Sequence, residues 1–170
     1  MKKQFLLLVM MLLPMMAMAD AFEIDGIYYN LNTKTKNAEV TGNPNRYSGS
    51  IVIPDQVEYQ GSIYSVTSIG HSAFSGCYNL TSVTIPNSVT SIAGYAFFGC
   101  NGLTSITIPN SVTAINYNTF YACESLTSVT IGSSVTRIGE YAFTDCKSLT
   151  SITIPISVTK IDQYAFSDCI

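Results

Sequence analysis

The chain has 170 residues, of which 47% are hydrophobic and only 11% carry a charged side chain. Eight Lys and Arg residues stand against eleven Asp and Glu residues, which gives a net charge of −3 at pH 7. Because nucleic-acid binding depends on clustered basic side chains that neutralise phosphates, this composition argues against a nucleic acid as partner.

Residues 1–19 have the pattern of a signal peptide. Two lysines precede an apolar run from Phe5 to Met16, and the small residues Ala17 and Ala19 stand at the positions that a signal peptidase recognises. The run is shorter than the roughly 20 apolar residues of a membrane span. We therefore expect an exported protein with no membrane insertion after cleavage, and the loss of the two lysines leaves the chain from residue 20 onward with a net charge of −5.

Residues 20–62 are predicted to form an N-terminal β cap together with a first strand. The Asp-Gly pair at residues 25–26 lies between two apolar stretches and predicts a β-hairpin. Residues 59–62 predict the tip of a second hairpin, and residues 50–54 match the end of a strand in the repeats that follow. We expect this cap to cover the apolar end of the first coil.

Residues 63–170 are repetitive, because the same residue types return at every 23rd position without an insertion. A fixed period in this range is typical of a solenoid, in which each repeat forms one coil and stacks on its neighbours. The sequence therefore predicts about five stacked turns. Cys and Phe each recur five times and Leu four times, as Cys77, Cys100, Cys123, Cys146 and Cys169, as Phe74, Phe97, Phe120, Phe143 and Phe166, and as Leu80, Leu103, Leu126 and Leu149.

Each unit predicts two extended stretches and a compact corner. Ile106 and Ile108 are two residues apart, so both side chains point inward while the Ser and Thr beside them point outward. Residues 112–115 indicate a second extended stretch on the opposite side of the coil, and residues 117–123 predict a short helical turn. One unit buries too little apolar surface to offset the entropy of ordering its backbone, so stability must come from stacking.

This unit resembles the BspA-type leucine-rich repeat family of bacterial cell-surface and secreted proteins. The motif that carries the resemblance is I-P-N-S-V-T-S-I-x-x-Y-A-F-x-x-C-x-x-L-T-S-I-T, as in Ile85 to Thr107, and it extends over residues 50 to 170. The N-terminal segment resembles the leaders of such proteins from Bacteroides-like bacteria. The resemblance implies a β-rich leucine-rich repeat solenoid at the bacterial outer surface that adheres to an extracellular protein or glycan.

The outward strand positions form two columns of hydroxyl side chains. They either solubilise an exposed strand or form a flat surface that meets an extended protein or glycan. Phe98 and Tyr121 are predicted to be stacked, partly exposed anchors beside them, unless both rings pack against the rim of their own coil. The hydroxyl columns are Ser82, Ser105, Ser128 and Ser151, and Thr84, Thr107, Thr130 and Thr153.

No catalytic, cofactor or metal site is predicted. The Cys column is expected to be a row of buried thiols, because parallel side chains in one straight column do not converge on a metal ion. His71 is the only histidine, and no paired carboxylates recur. A Ser-His-Asp arrangement is therefore not supported, and we expect no enzyme.

The sequence stops at Ile170, halfway through a coil, so the solenoid is expected to be incomplete at its C-terminus. We favour a truncated member of a longer protein over the alternative, in which the uncapped end associates with another copy. The function also has two alternatives. The chain is either a binding module for adhesion or a structural spacer, a segment of a larger envelope protein with no binding activity of its own.

Overall fold

A computed structural model describes residues 21–169, and the signal peptide predicted for residues 1–19 lies outside them. Thirteen short β-strands and the turns between them form this part of the chain, which contains no helix. The strands are β1 (Phe22–Ile24), β2 (Ile27–Asn32), β3 (Asn37–Val40), β4 (Gly49–Val52), β5 (Gln56–Tyr59), β6 (Ser62–Ile69), β7 (Leu80–Thr84), β8 (Ser91–Ile92), β9 (Ser105–Thr107), β10 (Ala114–Ile115), β11 (Ser128–Thr130), β12 (Arg137–Ile138) and β13 (Lys160–Ile161).

The N-terminal part contains two antiparallel hairpins, at the places that the turn residues predicted. Strands β1 and β2 are joined by Asp25 and Gly26, and β5 and β6 by Gln60 and Gly61. All four turn residues have a positive φ, between 49° and 81°. Two-residue turns of this kind need positive φ values because their twist then matches that of the strands, and Gly adopts them without strain.

Strand β6 belongs to the N-terminal sheet and to the solenoid at once. The sheet has the order β1-β2-β3-β6-β5, and β8 of the second coil also pairs with β6. The pairing is antiparallel to β5 and parallel to β3 and β8. Phe22 lies in edge strand β1 and Tyr59 in the opposite edge strand β5, and their ring centroids are 4.4 Å apart. The sheet is therefore curved so strongly that side chains of its two edge strands are in contact.

The coils stack through short parallel strands on two sides. On one side β4 pairs with β7 and β9 pairs with β11, and on the other β6 pairs with β8 and β12 lies between β10 and β13. The pairs β9–β11, β10–β12 and β12–β13 join equivalent positions of successive repeats, for example Ser105 with Ser128 and Ile115 with Ile138. The second extended stretch predicted for residues 112–115 is therefore confirmed.

The hydroxyl-bearing sheet is less continuous than the sequence predicted. Within residues 21–169 no ladder joins β7 to β9, and residues 151–155 form no strand, so Ser151 and Thr153 lie outside the sheet. The last coil has a neighbour on one side only in this part of the chain, and its Ile152 and Ile154 are half-buried. The strand is thus absent from the coil whose inward residues at these positions are least buried.

A corner segment closes each coil, and it is a succession of turns. The short helical turn predicted for residues 117–123 is therefore wrong. The N–H groups of Tyr121 and Cys123 donate to carbonyls three residues earlier, whereas those of Phe120 and Ala122 donate to carbonyls of the following coil. A helix would use all these donors internally, but the alternation keeps half of them for stacking. The corner segments are residues 72–77, 95–100, 118–123, 141–146 and 164–169.

Two residues in each corner segment have a left-handed backbone, with φ between 53° and 67°. Such single left-handed residues reverse the chain direction within the segment and let alternate N–H groups point along the stack. Non-glycine residues other than Asn and Asp adopt this conformation at a cost of about 1–2 kcal/mol. The residues are Ser72, Gly76, Tyr95, Gly99, Asn118, Ala122, Tyr141, Asp145, Tyr164 and Asp168.

The core is a set of columns that run the length of the solenoid. The rings of the Phe column are nearly parallel, within 10° of one another, and their centroids are 5.0 to 5.3 Å apart. At this separation parallel rings are offset rather than directly superposed, which is the arrangement that aromatic quadrupoles favour. From Phe74 to Phe143 these side chains are fully buried. The predicted stacking of identical side chains from one repeat to the next is confirmed.

Candidate binding surface

The exposed hydroxyls of the solenoid are of two kinds. Those of Thr90, Thr136 and Thr159 donate to the backbone carbonyl of the equivalent residue in the preceding coil and so tie each coil to its neighbour. On the outward strand positions, Ser82 Oγ donates to Ser50 Oγ at 2.7 Å. The remaining outward hydroxyls make no hydrogen bond to another group in residues 21–169, and all are exposed to solvent. They are Thr84, Ser105, Thr107, Ser128, Thr130, Ser151 and Thr153.

Phe98 and Tyr121 form the stacked pair that the sequence predicted. Their ring centroids are 5.2 Å apart, the rings are 8° from parallel, and both residues are half-exposed. The pair lies on the corner segments, whereas the hydroxyl columns lie on the strands. The ten predicted surface residues therefore divide into two groups on different parts of the coil.

Two further aromatic residues, which sequence reasoning missed, extend this pair. Tyr95 lies 5.5 Å from the ring of Phe98 and also 5.5 Å from that of Tyr117, whose side chain is 48% exposed. A Cβ atom on Gly94 would lie 2.6 Å from the Tyr117 ring, so the missing side chain makes room for it. We call Tyr95, Phe98, Tyr117 and Tyr121 the aromatic surface. The signal was present in the sequence, because Tyr95 belongs to a column in which tyrosine recurs, as Tyr141 and Tyr164.

The aromatic surface is flanked by acidic side chains. The carboxylate of Asp145, with which the Tyr121 hydroxyl interacts, raises the pKa of that hydroxyl, and the charge of Asp168 acts in the same direction. Within residues 21–169, Glu140, Asp145 and Asp168 take part in no salt bridge. The basic residues of the solenoid are already paired, in Arg137–Asp162, Lys160–Asp162 and Lys147–Glu124.

The Cys column consists of free thiols and has no features of a reactive site. Cys77, Cys100, Cys123 and Cys146 are buried, as the sequence predicted, and Cys169 is half-buried. From Cys100 onward each Sγ donates to the carbonyl of a Phe in the preceding coil, at 3.0 to 3.2 Å. Burial raises the pKa of Cys77 to about 11 and that of Cys146 to about 12. The thiolate form needed for nucleophilic attack or metal binding is therefore disfavoured.

Other chemical features of the described chain are sparse. His71 is exposed and its ring lies 5.4 Å from that of Tyr95. No group of three or more His, Cys, Asp or Glu residues in 21–169 is arranged to hold a metal ion. The same stretch contains no helix that is long and apolar enough to span a membrane.

A shallow polar groove of 630 Å³ lies beside β2 and β3. Its half-buried carboxylate, Glu39, accepts hydrogen bonds from Asn30 Nδ2 and Ser68 Oγ. The groove's charged acceptor is therefore already engaged by protein groups. The aromatic surface, by contrast, has partly exposed rings beside carboxylates that form no salt bridge within residues 21–169, and it is the stronger candidate for a binding site.

The motif that recurs through these coils has a known counterpart. The BspA type leucine rich repeat region matches residues 50–170 in six copies. This chain belongs to the BspA-type leucine-rich repeat family. The resemblance stated from the motif is thus confirmed. The match begins at residue 50, so it includes β4. It also includes residues 63–170, in which we predicted about five turns.

Solved structures of other leucine-rich repeat proteins are similar to this BspA-type chain. One from Bacteroides ovatus is 38% identical, with a TM-score of 0.79 over 85% of this chain, which in turn spans only 38% of that protein. The T. pallidum leucine-rich repeat protein is 31% identical, with a TM-score of 0.75 over 88% of this chain and 68% of its own. The pneumococcal vaccine antigen PcpA, 20% identical, has the same fold, with a TM-score of 0.64 over 89% of this chain and 48% of its own. No curated protein sequence matches the chain.

Proposed function

We propose that this BspA-type protein is an exported, non-enzymatic binding module that adheres to extracellular macromolecules at the bacterial outer surface. The observation that carries the proposal is the aromatic surface, in which partly exposed rings from two successive coils contact one another. Exposed aromatic side chains supply much of the binding energy in protein interfaces. The signal-peptide pattern of residues 1–19 supports export.

The hydroxyl columns support the same proposal as a second contact region. Apart from Ser82, which donates to Ser50, their outward hydroxyls are exposed and unbonded to other groups of residues 21–169. The pairing of β9 with β11 places Ser105 and Thr107 in register with Ser128 and Thr130. An extended ligand that crosses several coils would meet similar groups on each one. Binding would then be the sum of modest contacts, so no single substitution should abolish it while the fold is intact.

The proposal is tested by surface plasmon resonance with the full chain and a panel of purified extracellular-matrix proteins and glycans. Phe98→Ser and Tyr121→Ser should each weaken binding by about 1 kcal/mol, and the double variant by about 2 kcal/mol. Val52→Ser with Ile63→Ser is the matched control, because these side chains are 65% and 60% exposed on the N-terminal part. The control should bind like the unaltered chain.

A structural spacer is the second candidate. It is favoured by the Thr column that ties coil to coil through Thr90, Thr136 and Thr159, since these exposed side chains serve the stack itself. A spacer would bind no member of the panel. A chain that binds, but is weakened equally by the aromatic variant and by the Val52 and Ile63 control, would exclude the aromatic surface as the contact region.

A further inference from the structure

We infer that the aromatic surface takes a basic peptide segment, with an Arg side chain lying against the free face of the Tyr121 ring and facing Asp145 and Asp168. This inference rests on the proposed function and specifies its ligand chemistry. It concerns the place where the Phe98–Tyr121 stack ends, between the corner segments of the third and fourth coils.

The stack ends at Tyr121 because the next position in the column is a small residue that turns inward. Thr144 occupies the position of Tyr121 in the following coil, and its side chain is only 5% exposed. Its Oγ1 donates to the backbone carbonyl of Tyr164, one coil further on. The Thr144 side chain is thus committed to the interior, and one face of the half-exposed Tyr121 ring is left without a stacking partner.

The charges beside this ring select a cation. Asp145 follows Thr144, whose carbonyl accepts from the N–H of Ala122, the residue after Tyr121. Asp168 occupies the same position one coil further on. Both carboxylates raise the pKa of the Tyr121 hydroxyl, Asp145 more than Asp168. The charges of Asp145 and Asp168 also raise the pKa of Lys147, but its Nζ is held by Glu124 at 2.7 Å. A planar guanidinium can stack on an aromatic face and bond to carboxylates simultaneously. A neutral sugar can also stack on the ring and donate its hydroxyls to the carboxylates, but only a cation neutralises their charge.

The backbone conformation alone favours Asp at positions 145 and 168, whatever these residues bind. The variants must therefore separate the effect of the negative charge from that of the backbone preference. Asp145 and Asp168 occupy left-handed positions, with φ of 59° and 57°, where Asp is favoured over most residues. Asn adopts the left-handed conformation as readily. The double substitution Asp145→Asn and Asp168→Asn therefore removes the charge and keeps the backbone preference.

The experiment measures fluorescence anisotropy of short Gly-Ser peptides carrying two Arg, two Glu or no charged residue, titrated with the full chain. We expect the Arg peptide to bind about tenfold more tightly than the Glu peptide, and less tightly as salt is raised. The Asp145 and Asp168 double variant should lose about five- to tenfold in affinity for the Arg peptide, and Tyr121→Leu about threefold to fivefold.

Asp55→Asn with Glu58→Gln is the matched control, since it removes the same charge from exposed positions on the N-terminal part. Equal losses in this control and in the Asp145 and Asp168 variant would overturn the inference, because only net charge would then matter. Equal binding of the Arg and Glu peptides, or tighter binding of a neutral oligosaccharide, would also overturn it. If matrix proteins still bind in these cases, the proposed function stands and only the ligand chemistry is wrong.

Discussion

The ring of Tyr47 lies 4.7 Å from the ring of Phe74 and is tilted by 45° to it. Beyond Phe74 every ring of the column is nearly parallel to the next, so Tyr47 is where the parallel stack ends at the N-terminal side. The same residue contacts the Cys column, because its backbone N–H donates to Cys77 Sγ at 3.3 Å. One buried residue therefore covers the ends of two core columns.

The Tyr47 hydroxyl should stabilise the fold in addition to its ring. It donates to the carbonyl of Thr41 at 2.7 Å and accepts from the N–H of Tyr28 at 2.9 Å. Tyr47→Phe leaves both groups unpaired and should lower the free energy of unfolding by about 1–3 kcal/mol. Tyr29→Phe is the control, since the buried Tyr29 hydroxyl has no hydrogen-bond partner in residues 21–169 and its loss should be neutral or stabilising. Urea unfolding followed by circular dichroism measures the free energy of unfolding of both variants. Equal changes in the two variants would contradict a stabilising role for the Tyr47 hydroxyl.

The position of a Phe in the column should determine how much its replacement by Ala lowers the free energy of unfolding. Phe120 is fully buried between Phe97 and Phe143, and we expect Phe120→Ala to destabilise the fold by about 3–5 kcal/mol. Phe166 is half-buried and has a ring neighbour on one side, so Phe166→Ala should cost less than half as much. Comparing the two unfolding midpoints at equal denaturant slope checks this. Similar losses would show that the last coil is packed as tightly as the middle ones.

Backbone strain in the corner segments offers a stabilising change. Ala122 has a φ of 55°, a left-handed value, whereas Gly76 and Gly99 occupy the equivalent positions of earlier coils. We expect Ala122→Gly to raise the free energy of unfolding by up to about 1 kcal/mol, because relief of strain exceeds the entropy cost of the glycine.

The control for this change is Ala114→Gly. Ala114 lies in β10 and is not among the left-handed residues. There the substitution should destabilise by about 0.5–1 kcal/mol. Thermal melts of the two variants should therefore shift in opposite directions, and a shift of the same sign would refute the strain argument.

Stability should fall in alkaline solution. Burial raises the pKa of Cys77 to about 11 and that of Cys146 to about 12, from an ordinary value of 9.0. Above pH 9 the unfolded chain therefore releases protons that the folded chain retains, and the free energy of unfolding decreases as pH rises towards the folded-state pKa values. Below that pH these thiols are protonated in both states and their contribution is constant. Tyr47, whose pKa is raised to about 12, adds to the loss at higher pH.

Urea unfolding over a pH series under reducing conditions measures this dependence. The Cys146→Ala variant, compared with itself across the series, should show a shallower alkaline decline than the unaltered chain. A decline of the same steepness would assign the effect to other groups.

The period of the sequence was sufficient to place the core. Columns of Phe, Cys and Leu were predicted to stack because all three recur with the same period, and inward packing of this kind depends on residue type and spacing alone. The two hairpins were also predictable, because Asp25-Gly26 and the Gln60-Gly61 turn are governed by local φ preferences. The parallel pairing of β3 with β6 was not, since residues 37–40 lie outside the 23-residue repeats and no period relates them to β6.

The corner segment shows why a compact apolar stretch can mislead. Residues 117–123 place Phe120 and Cys123 three apart, a spacing that fits one turn of a helix. The structure uses the same spacing for turns, because donors directed along the stack are satisfied by the neighbouring coil. The contact between Phe98 and Tyr121 could be predicted, because the two residues are 23 positions apart. The break in the hydroxyl-bearing sheet between β7 and β9 could not, because it depends on backbone geometry and not on residue type.

The backbone hydrogen bonds between corner segments all run in one direction. The N–H of Phe97 donates to Thr119, that of Phe120 to Ala142 and that of Phe143 to Ala165, always from an earlier coil to a later one. The corner segment of a coil therefore keeps N–H donors without a partner in the chain until the next repeat has docked on it. Each coil that docks on the stack completes the corner segment of the coil before it, so the solenoid gains these hydrogen bonds one repeat at a time.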